Sequence, residues 1–190
     1  MMRFCHVILI ALVALSAVDC RARTFHRNKE AAISQSAVRE IVGKVTRVSD
    51  GDTVWVSGRL GRQKIRLNRI DAPESDQPFG EEATEYLKSL ISSKEVCVKY
   101  ATTDRYGRIL GSIFLGETDI NLQMVRDGCA WHYSHFDNTP AYVEAERNAR
   151  MAKRGLWATE NPVNPHQWRK SKRSRKVVSS YADQYVSESV

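Results

Sequence analysis

The 190-residue chain carries 29 Lys and Arg against 22 Asp and Glu, a formal charge of +7, with 42% hydrophobic and 27% charged residues. That composition supplies one hydrophobic core and excludes a wholly disordered chain, a collagen and a disulfide-dense miniprotein. The single long apolar run, Val7 to Val18, is too short to span a bilayer, which excludes a polytopic membrane protein.

Arg3 ahead of that run has the layout of a secretory signal, a charged start followed by an apolar stretch, and Cys20 and Ala22 are small residues suited to cleavage after Ala22. Residues 1–22 are therefore expected to be a signal peptide and the protein to be secreted or periplasmic. Lipoprotein anchoring at Cys20 is the alternative, against which Asp19 is a poor neighbour. Residues 23–37 are polar and aperiodic and read as a linker. Cleavage leaves two thiols, Cys97 and Cys129, which in an oxidising compartment are candidates for one disulfide or for two separately buried thiols. Cys129, His132 and His135 are spaced three apart but lack a fourth zinc ligand.

From Val38 to Leu115 the texture is β. Strands are expected over Ile41 to Val48, Asp52 to Val56 and Gln63 to Ile70, with Asp50-Gly51 as a hairpin turn. Ile65 and Leu67 alternate with Lys64, Arg66 and Asn68, so Arg66 points away from the core. A helix follows near Pro78 to Ile91, with Phe79, Ala83, Tyr86, Leu87 and Leu90 on one stripe. Strands are expected again at Glu95 to Tyr100 and Gly107 to Leu115. Asp119 can cap a short helix ending at Gly128, and Thr139-Pro140 opens a last helix that stops at Gly155. Five strands with a helix between the third and fourth predict an α+β domain over residues 38–168: a five-stranded OB-fold Greek-key barrel with three α-helices.

Charge is distributed unevenly. Residues 38–168 hold 18 residues of each sign, whereas residues 1–37 hold five basic and two acidic and residues 169–190 six basic and two acidic. Arg169 to Lys176 has six basic residues in eight and none apolar, so residues 169–190 read as a basic disordered tail that adds nonspecific phosphate affinity.

Chemistry concentrates in Arg66-Leu67-Asn68-Arg69-Ile70-Asp71-Ala72-Pro73-Glu74, with Asp50-Gly51-Asp52-Thr53 before it and Asp104-Arg105-Tyr106-Gly107-Arg108 after it. Each piece alone fits a turn or a strand end. Together they place carboxylates and arginines at the strand ends of one small barrel. Two aspartates and a carbonyl are hard oxygen ligands suited to Ca²⁺. An EF-hand is excluded, because Val54 and Trp55 stand where its loop needs a ligand and a glycine. Two guanidiniums can grip a phosphodiester, and a further carboxylate can orient or deprotonate water.

These segments, with Pro78-Phe79-Gly80, Val125-Arg126-Asp127-Gly128, Ala130 and Gly155-Leu156-Trp157, resemble the staphylococcal-nuclease-like (thermonuclease) family in order over roughly residues 38–160. The resemblance implies an OB barrel with three helices. It implies Arg66, Arg108 and Glu74 as catalytic residues, Asp52, Asp71 and the carbonyl of Ala72 as calcium ligands, and Arg105 and Tyr106 as nucleotide-binding residues. Two positions depart from the family pattern: the aromatic spacing at Tyr133 to Phe136, and Ala72, where Thr is frequent. The expected activity is that of an exported calcium-dependent nuclease acting on DNA and RNA and leaving 3′-phosphate ends. It is expected to be a monomer with no obligate protein partner and no transmembrane anchor. The competing reading is a catalytically inactive nuclease-like module that binds nucleic acid or a protein.

Overall fold

The computed structural model describes residues 38–175. The expected signal peptide, the linker, Cys20 and residues 176–190 of the tail lie outside the described residues. In chain order the elements are β1 (Arg39–Asp50), β2 (Thr53–Gly58), β3 (Gly61–Leu67), β4 (Ile70–Asp71) and α1 (Gly80–Ile91), then β5 (Glu95–Thr103), β6 (Ile109–Leu115), β7 (Thr118–Asp119) and α2 (Ile120–Arg126). They continue with β8 (Trp131–His132), α3 (Pro140–Met151), a 3₁₀ turn (Gly155–Ala158) and α4, residues 165–175.

β1, β2 and β3 form an antiparallel meander, β5 adds to the other side of β1, and β6 pairs with β5. A parallel pairing of β3 with β6, from Ile65–Ile109 to Leu67–Gly111, closes the five long strands into the expected α+β barrel. Closure removes the free edges a five-stranded sheet would otherwise present. The period-2 alternation explains which side chains fill it: Val54, Val56, Ile65, Leu67, Val96, Val98 and Ile113 point inward and are buried. Each such side chain contributes about 1.5–3 kcal/mol by leaving water. Irregularities in β1 between Val45 and Arg47 and between Val48 and Asp50 bend this twelve-residue strand, keeping Val45 and Val48 buried while Arg47 stays outside.

α1 buries Gly80, Ala83, Leu87 and Ile91 against the barrel, as its stripe predicts. α2 starts where Asp119 accepts a hydrogen bond from the Leu122 N–H at 3.0 Å, and Gly128, at φ 69°, turns the chain after it. Buried Asn121 on α2 donates to the carbonyls of Asn68 and Gly111 and accepts from the Ile113 N–H, which locks the end of β3 to β6. The strand end carrying Arg66 and the turn into Asp71 are thereby held from beneath.

Three expectations need correction. There are four helices among the described residues, not three. The segment from Arg169 onward is not a disordered tail as far as residue 175: it continues α4, which Asn164 caps by accepting from the His166 N–H at 2.9 Å. Clustered cations tolerate a helix here because the carboxylates of Asp71, Glu74 and Asp76 oppose them. Finally, Cys97 and Cys129 are both free, so the disulfide option fails. Val96 and Val98 point into the barrel, which puts Cys97 on its outside, whereas Cys129 is buried in the core and its thiol is pushed up to about 12, first by burial and then by the Asp127 charge. No group of three or more His, Cys, Asp or Glu side chains is arranged to hold a metal among the described residues. His132 instead pairs with Asp137 at 3.0 Å.

Candidate functional site

A cleft of about 840 Å³ opens where β2 begins, β3 ends and the turn before β6 approaches. Every site residue expected from the sequence lines it: Asp52, Arg66, Asp71, Ala72, Glu74, Arg105, Tyr106 and Arg108. Tyr133 and Phe136, stacked edge to face at 4.9 Å, form part of its wall.

The floor is built from hydrogen bonds. Asp50 closes the β1–β2 turn by accepting from the Asp52 N–H at 3.0 Å. Asp52 Oδ1 accepts from the Thr53 hydroxyl at 3.1 Å, and Oδ2 accepts from the Ala72 N–H at 3.0 Å, so this carboxylate ties β2 to the strand exit after β4. Arg66 Nη1 donates to the carbonyls of Leu67 (2.5 Å) and Ile70 (3.0 Å). Its Nη2 lies 2.9 Å from Asp52 Oδ2 and 3.0 Å from Asp71 Oδ1. A guanidinium has five donors; both Nη atoms of Arg66 are engaged, in three hydrogen bonds and the ion pair with Asp52.

Asp52 Oδ2 and Asp71 Oδ1 thus converge on a single cationic atom. Two such converging carboxylates, with Ala72 tied to Asp52 through its N–H, are hard oxygen donors of the kind a calcium ion takes, with water completing its shell. Burial pushes Asp71 up from the usual carboxylate range against the pull of Arg169 and Arg66. Burial, then the charge of Asp52, pushes Asp50 up to about 6. Such perturbed carboxylates are common where charge is concentrated for binding or chemistry.

Glu74 is placed by the loop that leads into α1. Its N–H donates to Gln77 Oε1 (3.2 Å), its carbonyl accepts from the Gln77 N–H (2.9 Å), and Gln77 Nε2 reaches the carbonyl of Val163 (2.5 Å). A Cβ on Gly80 would come within 1.8 Å of the Glu74 carbonyl oxygen, so glycine is required for this close approach. Gly80→Ala is expected to cost about 1–3 kcal/mol of stability, the scale of overpacking, and to shift Glu74. Urea denaturation checks the first effect; unchanged stability would show that the loop relaxes freely.

Across the cleft the turn 104–108 is organised by Asp104, which accepts from the N–H groups of Tyr106 and Arg108 (both 2.9 Å) and from Arg108 Nε (2.8 Å). Although its slight burial works the other way, these bonds from Arg108 and Tyr106 hold Asp104 below the usual carboxylate range. The Arg108 Nη atoms make no hydrogen bond among the described residues. Arg105 donates to the Tyr106 hydroxyl at 2.7 Å, and the Tyr106 ring is 67% exposed.

One residue escaped the sequence reading. Arg169 on α4 enters the cleft, with Nη2 2.9 Å from Asp71 Oδ2 and Nη1 2.6 Å from Glu74 Oε1. His166 and Arg173 on the same helix also line the cleft. α4 is anchored beside it, the Trp168 indole donating to Asp76 Oδ1 at 3.3 Å and Lys172 to Asp76 Oδ2. Burial opposes ionisation of Arg169, yet the hydrogen bonds to Asp71 and Glu74 raise its pKa. The signal available in the sequence was Asn164-Pro165, an N-cap followed by proline at the first helical position.

Residues 64–159 match the family model described as staphylococcal nuclease homologue. An uncharacterized endonuclease of Escherichia coli is 43% identical over 70% of this chain and 88% of its own length. One from Haemophilus influenzae is 38% identical over 68% and 74%. Staphylococcal-like nuclease CAN1 of Arabidopsis thaliana is 41% identical over 58% of this chain and 34% of its own length. The barrel, the order of the motifs and these matches agree: the chain belongs to the staphylococcal nuclease homologue family.

Proposed function

We propose that the chain is an exported, calcium-dependent nuclease that hydrolyses phosphodiester bonds of DNA and RNA, works as a monomer and leaves 3′-phosphate ends. Nuclease chemistry as such follows from the family and from relatives named as endonucleases. The observation that carries the finer reading is the convergence of Asp52 and Asp71 on one cationic atom, with Glu74 beside them and a free Arg108 fork across the same cleft.

In this reading Asp52, Asp71 and the Ala72 carbonyl hold calcium, which when bound supplies positive charge to polarise the phosphodiester. Glu74 orients the attacking water and accepts its proton. Arg108 presents both Nη atoms to the non-bridging phosphate oxygens, and Arg66, which bridges the two aspartates, adds the second guanidinium charge beside the bound diester. Arg105 and Tyr106 grip the neighbouring nucleotide. Export rests on the charged start and apolar run of residues 1–22.

The test is to recover the protein from outside the cell, weigh it intact, and digest DNA and RNA with Ca²⁺, Mg²⁺ or EDTA. The expected result is a mass lacking residues 1–22, cleavage of both nucleic acids with Ca²⁺, none in EDTA, and 3′-phosphate termini. Full activity in excess EDTA would reject the calcium assignment, 5′-phosphate ends the product assignment, and a mass retaining Val7 to Val18 the cleavage of a signal. Binding without cleavage under every condition would favour the inactive module.

A further inference from the structure

The catalytic cleft is one end of a longer cationic surface. Strand register places Asp50, Thr53 and Arg66 side by side across β1, β2 and β3 at the cleft. The next outward-facing row across the same strands is Arg47, Trp55 and Lys64, and the row after that is Lys44, Ser57 and Arg62. Val54, Val56, Ile65 and Leu67 are buried inside the barrel, so Trp55, Lys64 and Arg62 share the outer face with Arg66. The bend in β1 keeps Arg47 on that face too.

Two cations lie over one half-buried tryptophan, with Arg47 beside it in the same row and Lys44 in the next. The Arg62 guanidinium lies 4.3 Å and the Lys64 ammonium 5.7 Å from its ring centroid. Neither these two nor Arg47 and Lys44 has a carboxylate within 4 Å among the described residues; Glu95, opposite Lys44 on β5, is the acidic residue in register with them. Charge is balanced over residues 38–168, at 18 residues of each sign, so this grouping is segregation and not the average surface of a basic protein.

We propose that these rows form a binding track for a single-stranded polynucleotide running out of the cleft, with Lys64 and Arg62 on successive phosphates, Trp55 stacking an unpaired base and Arg47 adding positive charge on the other side of that ring. The proposal rests on the nuclease reading and extends its substrate site. Same-face positions on a strand are about 6.7 Å apart, a step that the phosphates of an extended single strand can follow. An aromatic ring amid cations is the chemistry that holds unpaired bases without reading their sequence. A duplex keeps its bases stacked on each other and gains nothing from Trp55.

Binding of a 12-nucleotide single strand and of a trinucleotide, measured by fluorescence anisotropy in EDTA, tests the track apart from catalysis. Arg62→Gln/Lys64→Gln is expected to lose about tenfold in affinity for the 12-mer and to reduce its log–log salt slope by about 1.4, the value for two phosphate contacts on a single strand. Trp55→Leu should weaken the 12-mer with little change in salt slope, the mark of lost stacking. Arg147→Gln/Lys153→Gln, on α3 and the turn after it, removes the same charge outside the rows and should cost much less. Equal losses in that control pair, an unchanged salt slope in the Arg62/Lys64 pair, or an equal loss of trinucleotide binding would overturn the track. Failure of the protein to cleave anything would count against the nuclease reading, while the anisotropy result still decides the track.

Discussion

Arg108→Lys is expected to lower kcat by about 10²-fold or more, the scale of losing one preorganised donor, with little change in KM. In-line attack of water on phosphorus builds charge on the equatorial oxygens that the ground-state diester does not carry. A guanidinium that can reach two of those oxygens gains energy as the reaction proceeds, whereas lysine keeps the charge and loses the fork. The geometry singles out Arg108 for this. Asp104 holds its Nε at 2.8 Å and the Tyr106 ring lies 5.7 Å from the guanidinium, so the side chain is oriented while both Nη atoms are left for substrate. Arg66 is the contrasting case, since its Nη atoms are held by the Leu67 and Ile70 carbonyls and by Asp52 and Asp71, and its removal would disturb both aspartates together. Steady-state kinetics on folded Arg108→Lys decide the point. Near-normal kcat would make Arg108 a structural residue of the turn and defeat the two-arginine mechanism.

Arg169→Gln is expected to tighten calcium binding by about tenfold. Asp71 has a side chain only 2% exposed, and Arg169 occupies it at both oxygens, 2.9 and 3.2 Å, while also holding Glu74 at 2.6 Å. A divalent ion on Asp71 must displace or repel this guanidinium. Hydrogen bonds to charged groups are worth about 1.5–3 kcal/mol net, and partial exposure of Arg169 puts the relief at the low end, near a factor of ten in affinity. The glutamine variant keeps the helix and a polar side chain but removes the charge and the guanidinium's reach to Asp71. Calorimetric titration of the folded variant with Ca²⁺ reads the effect directly. Equal or weaker affinity would mean that Arg169 and the ion occupy the carboxylates without competing.

The two predictions differ in how much of them the sequence carried. Arg108 is legible because its partners are local: Asp104, Tyr106 and Gly107 stand within four residues, and the turn they form follows from Asp104 accepting the N–H groups of Tyr106 and Arg108. The proposed calcium ligands are nearly as legible, since Asp52 and Asp71 sit at the ends of strands that alternation places. Arg169 reads as part of a basic disordered tail because its charge run shows no apolar stripe. Its partners, Asp71 and Glu74, are 98 and 95 residues away.

From the sequence alone came the inward faces of the strands, shown by Ile65 and Leu67 alternating with Lys64 and Arg66. The helix boundaries at Asp119, Gly128 and Thr139-Pro140, and eight of the residues lining the cleft, are legible there too. All of these depend on near neighbours, because backbone geometry turns spacing of two or four residues into a shared face. Tertiary structure decided the rest: the parallel β3–β6 pairing that closes the barrel, the separation of Cys97 outside it from Cys129 within the core, the stacking of Trp55 rows onto the catalytic row, and the seat of Arg169 in the cleft. Each joins segments whose local patterns are compatible with many partners, and only the burial of one shared core selects among them.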